Sequence, residues 1–460
     1  MTLGGRGPGV YRSLRYCVVG GGISGLVAAY RIRAALGERA DITVFDPADR
    51  LGGVLRTERM GGQAVDIGAE AFIARRPEVP ALLAELGLAG RQIGTTGVRP
   101  MVYSQARLHP LPADTVSGIP SSAASVAGLV DAATCAKIAA EPDRPLRWQS
   151  GSDPALGDVV ADRFGEQVVT RSVDPLLSGV YAGSAVGIGI RSAAPTVAAA
   201  LDTGAASVTE AVLRVLPGAV GGPMFGALDG GYQVLLDELV ACAAPRWVAA
   251  SVRRIDAQGP GWAVQDDTGR TWPAEAVVLA VPASQAAVLL EVPAPRSAAS
   301  AAQIPVASAA VLAMRVAAGT PFPPQSGVLV ATGEHLHAKA ITLTTRKWGA
   351  RGDTELLRMS FGRFGDDIAR SAADDEFQTW ARDDLATVFG IAVDPIEVVL
   401  HRWIDALPQY VPGHAEMSAQ IRAGLPPTLA VAGNYLDGVG VPACVAVAGR
   451  AAAAVVAATT

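Results

Sequence analysis

The sequence predicts an α/β fold whose dinucleotide-binding domain is assembled from separate parts of the chain. Three observations support this prediction: a strand, glycine turn and helix near the start, a second strand that ends in a carboxylate, and a glycine turn that leads into the last helix. At 460 residues the chain has room for two or three domains, because a domain usually spans roughly 100–200 residues.

The composition excludes several classes of protein. Half of the residues are hydrophobic, 5% are aromatic and 18% are charged, which is typical of a folded α/β protein. The net charge of −5 and the lack of a lysine-rich run argue against a nucleic-acid binder. Four widely spaced cysteines without a CxxC pair predict reduced, buried thiols in a cytoplasmic protein. No apolar run resembles a membrane span, although a peripheral membrane contact stays open.

The first element is RYCVVGGGISGLVAAYRIRAA, which follows a tail, MTLGGRGPGVYRS, without periodicity. Its apolar start reads as a strand, and the pattern from Ile23 to about Ala35 reads as a helix. The glycines between them form G-x-G-x-x-G, in which the first allows a tight turn, the second admits a pyrophosphate, and the third lets helix and strand pack. The residues expected at the phosphates are Gly20, Gly22, Ile23, Ser24 and Gly25.

The second element, DITVFD (Asp41–Asp46), reads as a strand that ends in a carboxylate. Asp46 lies about twenty residues after the glycines, where a dinucleotide's ribose hydroxyls need an acceptor. An aspartate there favours an unphosphorylated ribose, and hence FAD or NAD over NADP. The alternative role for Asp46 is a turn cap before Pro47.

The third element distinguishes FAD from NAD. The stretch RLGGVLRTERMGGQAVDIGAEAF adds a second glycine pair beside an arginine, and then an apolar strand. An Arg-x-Gly-Gly turn directly after the ribose carboxylate brings backbone and guanidinium against the FAD pyrophosphate, and the next turn can approach the flavin ring. The alternative is two unrelated glycine pairs in loops. The residues assigned to FAD here are Arg50, Gly52, Gly53, Gly68, Ala69, Glu70 and Ala71.

The remaining elements alternate between two kinds of pattern. Residues 108 to about 220 are mostly helical, and strand-like runs from about 298 to 399 predict an antiparallel sheet with one buried face. Between them, ALDGGYQVLLDELV predicts a helix, followed by a strand at Trp247–Ala250, a hairpin through Gly259–Gly261 and a buried strand at Ala276–Val281.

Five segments together resemble the oxygen-dependent porphyrinogen oxidases of haem biosynthesis, within the amine-oxidase-like flavoprotein superfamily. The first and last of them belong to the whole superfamily, whereas LHPLPADTVSGIP and HRWIDALPQYVPGH point to the porphyrinogen branch. The five segments are VVGGGISGL with RLGGVLRT, VDIGAEAFIARRP, LHPLPADTVSGIP, HRWIDALPQYVPGH and AGNYLDGVGVPACVAVAGRAA.

The resemblance implies a split Rossmann-like FAD-binding domain, an antiparallel-sheet substrate domain and a helical insertion that covers the active site. The implied FAD-binding parts are 14–75, 221–297 and 400–460, the substrate parts are 76–107 and 298–399, and the insertion is 108–220. It also implies cofactor contacts from Val252, near the adenine, and from Trp403, Gly438, Val439 and Gly440, near the flavin. Without the resemblance, the last helix would simply be capped by Asp437.

The resemblance implies stepwise hydride removal from a porphyrinogen to flavin N5, until six electrons have left, with dioxygen as acceptor and peroxide as product. It requires no side-chain acid or base, so no catalytic residue is assigned. Arg99 is the candidate for binding a substrate propionate. Implied partners are the porphyrinogen, dioxygen and the next enzyme of haem synthesis.

Several alternatives remain open. Coproporphyrinogen III is the favoured substrate and protoporphyrinogen IX the competing one, while an amine or carotenoid oxidase and a non-enzymatic binding protein of the same fold are more distant. Lys339 or Lys347 is considered for the flavin, against an ordinary strand-edge role. His335 and His337 lack a third ligand at useful spacing, so no metal site is predicted.

Overall fold

The computed structural model describes residues 13–216, 222–349 and 353–460. The N-terminal tail up to residue 12 and the end of the expected insertion, at 217–220, lie outside the described residues.

The strands, numbered along the chain, are β1 (Leu14–Val19), β2 (Ala40–Phe45), β3 (Thr57–Met60), β4 (Gln63–Asp66), β5 (Phe72–Ile73), β6 (Gln92–Gly94), β7 (Met101–Ser104), β8 (Arg107–Pro110), β9 (Thr115–Val116), β10 (Ile119–Pro120), β11 (Phe225–Leu228), β12 (Arg246–Val248), β13 (Val252–Gln258), β14 (Gly261–Asp266), β15 (Thr271–Ala274), β16 (Ala276–Leu279), β17 (Val306–Ala317), β18 (Gly327–Val330), β19 (Ala338–Leu343), β20 (Thr354–Phe361), β21 (Glu397–Pro408) and β22 (Leu429–Val431).

The helices are α1 (Ile23–Leu36), α2 (Glu78–Glu85), α3 (Ala132–Ala139), α4 (Leu156–Phe164), α5 (Glu166–Val168), α6 (Asp174–Tyr181), α7 (Ile190–Ala193), α8 (Pro195–Asp202), α9 (Val208–Val215), α10 (Gln233–Ala243), α11 (Ala283–Leu290), α12 (Pro295–Ala301), α13 (Thr344–Trp348), α14 (Ile368–Ser371), α15 (Asp374–Phe389), α16 (His414–Ala423) and α17 (Val441–Thr459).

A parallel sheet of five strands, in the order β12-β2-β1-β16-β22, is the centre of the predicted dinucleotide fold. Its strands come from the beginning, the middle and the end of the chain, as the split architecture requires. β1 and β16 are buried almost throughout, which explains why both read as continuous apolar runs rather than alternating ones. The helices α1 and α17 pack against each other and share their hydrophobic core with this sheet.

Two strand bounds from the sequence were wrong by a few residues. The strand expected at Trp247–Ala250 is β12, which ends at Val248, and the one expected at Ala276–Val281 is β16, which ends at Leu279. After β16 the chain turns through Pro282 into α11, although a backbone hydrogen bond from Ala280 N to Val19 O (2.7 Å) continues the pairing with β1 by one residue. The expected hairpin at Gly259–Gly261 joins β13 and β14.

The second large sheet has seven strands in the order β21-β17-β20-β19-β18-β7-β8. The strands β17 to β21 pair antiparallel with one another, as expected, and one parallel pair, β7 with β18, joins them to an earlier strand. That pair arises because β7 comes from the first part of the expected substrate domain. Two of the expected domain boundaries, 107/108 and 399/400, cut through β8 and β21, both of which belong to this sheet.

The helices between α3 and α9 build a separate core and lie beside the seven-stranded sheet. This core is formed by large apolar side chains such as Leu156, Phe164, Val173, Ile190 and Val212, each fully buried. The helical pattern of this stretch therefore folds as its own unit rather than extending either sheet.

The cysteines and the last helix depart from two expectations. Cys17 and Cys444 are buried free thiols, and burial raises the pKa of Cys17 to about 12, but Cys135 is half-buried and Cys242 is exposed. α17 is long and apolar enough to cross a membrane by length and composition. More than half of its apolar stretch is buried inside the protein, so its composition is that of a core helix.

Candidate cofactor site

The two glycine turns of the N-terminal segment lie against each other at the ends of β1 and β2. Gly52 N donates to Gly21 O (2.8 Å), and Gly22 and Gly52 form a bridge between the turns. A Cβ on Gly53 would lie 3.0 Å from Gly22 Cα. Two motifs separated by some thirty residues in sequence therefore form one glycine-lined surface at the carboxyl ends of the parallel strands, where ligands bind in open α/β sheets.

The three glycines of G-x-G-x-x-G differ in how closely other protein atoms pack against them. A Cβ on Gly20 would lie 2.3 Å from Ala280 O, and one on Gly25 would lie 1.9 Å from Gly20 O, so both positions need glycine for packing. At Gly22, by contrast, the nearest atom to a Cβ among the described residues is Gly53 Cα at 3.8 Å. Protein packing leaves the space beside Gly22 free, as the close approach of a ligand would require.

Two helices begin at this surface without a side chain to cap them. Gly22 is the N-cap of α1 and Gly440 is the N-cap of α17, and neither glycine has a side chain that could accept a hydrogen bond from the first N–H groups of its helix. Ser24 and Cys444, in the first turns of the two helices, contact each other. Uncapped helix N-termini carry free N–H groups and partial positive charge, which favour a phosphate or another electron-rich group.

Asp46 follows β2 beside the first glycine turn. Its Oδ2 accepts from Gly21 N (2.7 Å), and its Oδ1 accepts from Ala48 N (3.0 Å). The second bond is the turn contact that was the alternative role for this residue. The carboxylate nevertheless stays half-exposed at the edge of the glycine surface.

The Arg50 guanidinium braces the second glycine turn from within. It donates to the backbone carbonyls of Leu51 (3.1 Å), Gly53 (2.7 Å) and Leu55 (2.9 Å). No carboxylate among the described residues forms an ion pair with it, and burial, followed by the nearby Arg56, lowers its pKa. A cation that braces the Gly52-Gly53 turn, which itself lies against the start of α1, is an environment suited to a diphosphate.

Glu70 belongs to a buried charge cluster with Lys347, Trp348 and Arg358. Its Oε2 lies 2.5 Å from Lys347 Nζ and 3.4 Å from Arg358, and its Oε1 accepts from Trp348 Nε1 (3.0 Å). Burial by itself would raise the Glu70 pKa, but the two cations outweigh it and lower that pKa to about 2. Because Arg358 also donates to Gly68 O (2.8 Å), the cluster fixes the turn that was assigned to the flavin.

Trp403, on β21, reaches the same turn from the other side. Its Nε1 donates to Ile67 O (2.8 Å), and a Cβ on Gly68 would lie 3.1 Å from its ring. The His401 ring packs edge-on against it at 4.1 Å. The strand that carries the RW pair therefore holds the 67–70 turn in place. Trp403 itself is half-buried, and its expected contact with the cofactor stays a prediction.

The last glycine turn is held by a residue that the sequence did not single out. Tyr410 OH accepts from Gly438 N (2.7 Å), so the amide of Gly438 points to the protein, while Val439 and Gly440 precede the free N-terminus of α17. Asp437 does not cap that helix, contrary to the alternative role considered for it. Its carboxylate pairs with Arg422 (2.6 Å) and with Arg450.

Other residues singled out from the sequence lie on other elements of the fold. Val252 begins β13 and is buried, and Arg99 is exposed in a cleft between β7, β8 and Gln325. Lys339 is buried at a bulge of β19, and His337 stacks on Trp380 at 4.6 Å. Lys339 Nζ donates to backbone carbonyls, and burial, followed by the nearby Arg363, lowers its pKa to about 7.

Among the described residues, no group of three His, Cys, Asp or Glu side chains is placed to hold a metal ion. Lys347, by contrast, sits in the Glu70 cluster at the 67–70 turn, although the sequence gave a strand-edge role more weight.

Comparison with known proteins places this surface in context. Residues 23–456 match the model of the flavin-containing amine oxidoreductases. The chain belongs to this family. It is therefore an oxidoreductase, and its cofactor is FAD, whose diphosphate suits the free helix N-termini, the space at Gly22 and the unpaired Arg50 cation.

Individual relatives resemble nearly the whole chain. A Mycobacterium tuberculosis protein named coproporphyrinogen III oxidase is 65% identical and aligns 96% of this chain with 97% of its own. A Mycobacterium leprae protein of the same name is 63% identical, with 95% of this chain and 97% of its own aligned. A crystal structure from Exiguobacterium sp. 255-15, provisionally named a protoporphyrinogen oxidase, shares 27% identity and a TM-score of 0.87, with 96% of this chain and 98% of that chain covered.

Two contributors to the site were missed from the sequence. Tyr410 lies within LPQYVPGH, a segment that resembles the porphyrinogen branch as a whole but carries no signal for the role of a single residue. The sequence pattern did not indicate a role for Arg358, because an arginine on a strand with alternating polar and apolar residues usually faces solvent. Only the register of β20 against β17 and β19 brings it to Gly68 and Glu70.

Proposed function

We propose that this protein is an FAD-dependent coproporphyrinogen III oxidase of haem synthesis, which carries out the six-electron oxidation to coproporphyrin III with dioxygen as acceptor and hydrogen peroxide as product. The observation that carries the proposal is the 65% identity, over 96% of the chain, to a mycobacterial protein named coproporphyrinogen III oxidase. At that identity and coverage, substrate class is usually shared as well as fold.

The glycine surface is proposed to bind FAD from one end to the other. Gly20, Gly22 and Gly25, with the start of α1, would hold the diphosphate, and Asp46 would accept from the ribose. Arg50 and the Gly52-Gly53 turn would approach the phosphates from the other side. The residues proposed for the remaining cofactor contacts are Ile23 and Ser24 at the phosphates, Val252 near the adenine, and Gly68, Ala69, Glu70, Ala71, Trp403, Gly438, Val439 and Gly440 around the flavin.

FAD, when bound, would supply the redox chemistry by accepting hydride from the substrate and returning electrons to dioxygen. The protein's part is to hold the substrate against it and exclude bulk water. The positive start of α17 would favour the negative charge of the reduced flavin. The net positive charge of the Glu70 cluster, two cations against one carboxylate, acts in the same direction.

One face of the seven-stranded sheet, formed by three small side chains and Arg358, offers a floor for a flat, apolar macrocycle. Thr342 lies opposite Arg358, and Ala340 lies opposite Ser360, so these four residues share one face of the sheet. All four are half-buried. Arg358 reaches the 67–70 turn, and α6 of the insertion contacts β18 and β19 of the same sheet. We therefore propose that a substrate here would lie between that turn and the helical insertion.

Arg99 remains the proposed partner of a substrate propionate. It lies exposed in a cleft at the β7–β8 edge of the same sheet, where a side chain can swing toward a carboxylate without breaking an existing ion pair. A cytoplasmic location, a peripheral membrane contact and a contact with the next enzyme of haem synthesis are further proposals.

The second candidate function is oxidation of protoporphyrinogen IX. It is favoured by one observation, the 27% identical structure that carries the provisional name of a protoporphyrinogen oxidase. The two substrates differ at two ring substituents, which are propionates in one and vinyl groups in the other.

The test is a comparison of initial rates by porphyrin fluorescence, with both porphyrinogens supplied in parallel to the purified yellow protein. We expect kcat/KM for coproporphyrinogen III to exceed that for protoporphyrinogen IX at least tenfold, which corresponds to about 1.4 kcal/mol of discrimination. A preference for protoporphyrinogen IX would assign the second function. No oxidation of either substrate by protein that retains FAD would rule out both.

A further inference from the structure

The segment that follows β21 connects the helical insertion to the last glycine turn. We call residues 408–414, PQYVPGH, the strap. It leaves the seven-stranded sheet at the end of β21 and enters α16, and it passes between the insertion and residues 434–438. Its conspicuous sequence has no explanation in the cofactor contacts described above.

On one side, three hydrogen bonds tie the strap to the insertion. Gln409 Nε2 donates to Tyr181 O (2.7 Å), at the end of α6. Gly189 N donates to the main-chain oxygen of Tyr410 (2.9 Å), and Gly413 N donates to Asp153 Oδ2 (2.9 Å). The strap is therefore fixed at three points on the unit that is expected to cover the substrate.

On the other side, two aromatic rings of the strap hold the backbone just before the last glycine turn. Tyr410 OH accepts from Gly438 N (2.7 Å) and donates to Asn434 O (2.6 Å). The Tyr410 ring stacks on His414 with centroids 3.7 Å apart, and His414 Nε2 lies 3.2 Å from Leu436 O. Three backbone groups between 434 and 438 thus depend on two buried side chains.

The double role of the Tyr410 hydroxyl requires that it stay protonated. A phenol can accept from one amide while donating to one carbonyl, whereas a phenolate could not donate to Asn434 O. The Tyr410 side chain is buried, and its pKa is raised above the ordinary value, chiefly by burial and then by Tyr181. The hydroxyl therefore serves both partners throughout the pH range in which the protein would work.

We propose that Tyr410 is a positioning residue for the flavin, which sets the place of Gly438, Val439 and Gly440, and with them the start of α17, relative to the cofactor. It would do so from a base that is anchored on the insertion rather than on the parallel sheet. The proposal rests on the FAD cofactor and on the expected contact of this turn with the flavin, and it does not depend on which porphyrinogen is oxidised.

The variant Tyr410→Phe keeps the ring and its stacking on His414 but leaves Gly438 N and Asn434 O without their partner. The matched control is Tyr181→Phe, because Tyr181 lies in the same aromatic pair, 5.6 Å from Tyr410. Within the part of the chain that the structure describes, its hydroxyl donates only to Ser192 O (3.4 Å), inside the insertion.

Both variants are compared with the wild type by FAD titration, by the reduction potential of the bound FAD, and by hydrogen exchange of the peptide that contains residues 434–441. Loss of a buried partner predicts that Tyr410→Phe raises the FAD dissociation constant roughly tenfold. Its potential should become more negative, because the start of α17 would stabilise the reduced flavin less, and the peptide should exchange faster. Tyr181→Phe should match the wild type within about twofold in affinity.

The proposal fails if Tyr410→Phe and Tyr181→Phe behave alike in all three measurements. It also fails if Tyr410→Phe lowers only the melting temperature and leaves affinity and potential unchanged, since that is a purely structural role. Should Tyr410→Phe not fold, exchange in the wild-type holoenzyme decides: the Gly438 amide must be protected, and exchange as fast as in an exposed loop overturns the proposal. No porphyrinogen enters these measurements, so their outcome is separate from that of the proposed function.

Discussion

Removing the charge of Glu70 should destabilise the protein through the two cations that it neutralises. The Glu70 pKa falls from the ordinary 4.5 to about 2, and at ~1.36 kcal/mol per pKa unit this corresponds to about 3 kcal/mol of stabilisation. The side chain is only 13% exposed, so solvent screening reduces this value little. Glu70→Gln keeps the shape and the Trp348 contact but leaves Lys347 and Arg358 buried as like charges. We therefore expect a loss of about 3 kcal/mol, within the range for breaking a buried ion pair.

The assay is urea denaturation of the holoenzyme at pH 7.5 with a fixed excess of FAD. Glu85→Gln is the control, because Glu85 pairs with Arg31 at the surface, where about 40% of its side chain is exposed, and such pairs contribute roughly 0–1 kcal/mol. The double variant Glu70→Gln, Lys347→Met removes one of the repelling charges and should recover a large part of the loss.

The pH dependence of the free energy of unfolding provides a second test of the Glu70 interaction. A depressed carboxyl pKa stabilises the folded state fully above the unfolded pKa, near 4.5, and this stabilisation disappears as the pH falls toward 2. The stability difference between wild type and Glu70→Gln should therefore shrink across that window. A loss no larger than that of Glu85→Gln, or a difference that is constant from pH 4.5 to 2, would refute the account of this cluster.

Three further predictions follow from the site. Gly22→Ala should weaken FAD binding with little change in apoprotein stability, since a Cβ there meets no described protein atom closer than 3.8 Å. Gly25→Ala should lower the stability of the apoprotein, because its Cβ would lie 1.9 Å from a backbone oxygen. In the wild type, stability should rise with pH by up to about 1.4 kcal/mol per unit between pH 7 and 10.5. In that window the unfolded Lys339 side chain is protonated and the buried one is not. Lys339→Met should remove this rise. Arg99→Met should raise KM for coproporphyrinogen III roughly tenfold, while Arg107→Met, an exposed neighbour on β8, should not.

Each of these has a contrary outcome. Equal effects of Gly22→Ala and Gly25→Ala on apoprotein melting would contradict the assignment of the free space at Gly22 to the cofactor. The same stability-versus-pH slope in wild type and Lys339→Met would mean that this lysine stays charged when buried. An unchanged KM in Arg99→Met would remove Arg99 from the substrate site.

The fold was predicted from the sequence where its signals are local. The glycine turn before α1, the carboxylate after β2 and the glycine turn before α17 have fixed chemistry and spacing, and each appears where the sequence places it. The parallel pair β7–β18 joins strands more than 200 residues apart in the sequence, and no local pattern specifies that partner.

The site was harder to predict where a role depends on tertiary contact. Glu70 was assigned to the flavin turn, but its partners Lys347 and Arg358 reach it only because α13 and β20 fold against that turn. Asp437 has the residue type of a helix cap, yet its carboxylate pairs with Arg422 on α16 and with Arg450 further along α17 instead of capping the first turn of α17. The residue type shows which contacts a side chain can make, but the ion pairs that Glu70 and Asp437 form depend on which residues the fold brings beside them.

The most direct test of the central claim is anaerobic mixing of the FAD-loaded protein with coproporphyrinogen III, followed by absorbance near the flavin's visible band and by porphyrin fluorescence. We expect the band to bleach as the substrate is oxidised, to return when air is admitted, and aerobic turnover to release three peroxide molecules for each coproporphyrin III formed. If the band persists in the presence of excess coproporphyrinogen III, the protein does not oxidise this substrate through its flavin, and the proposed function is wrong.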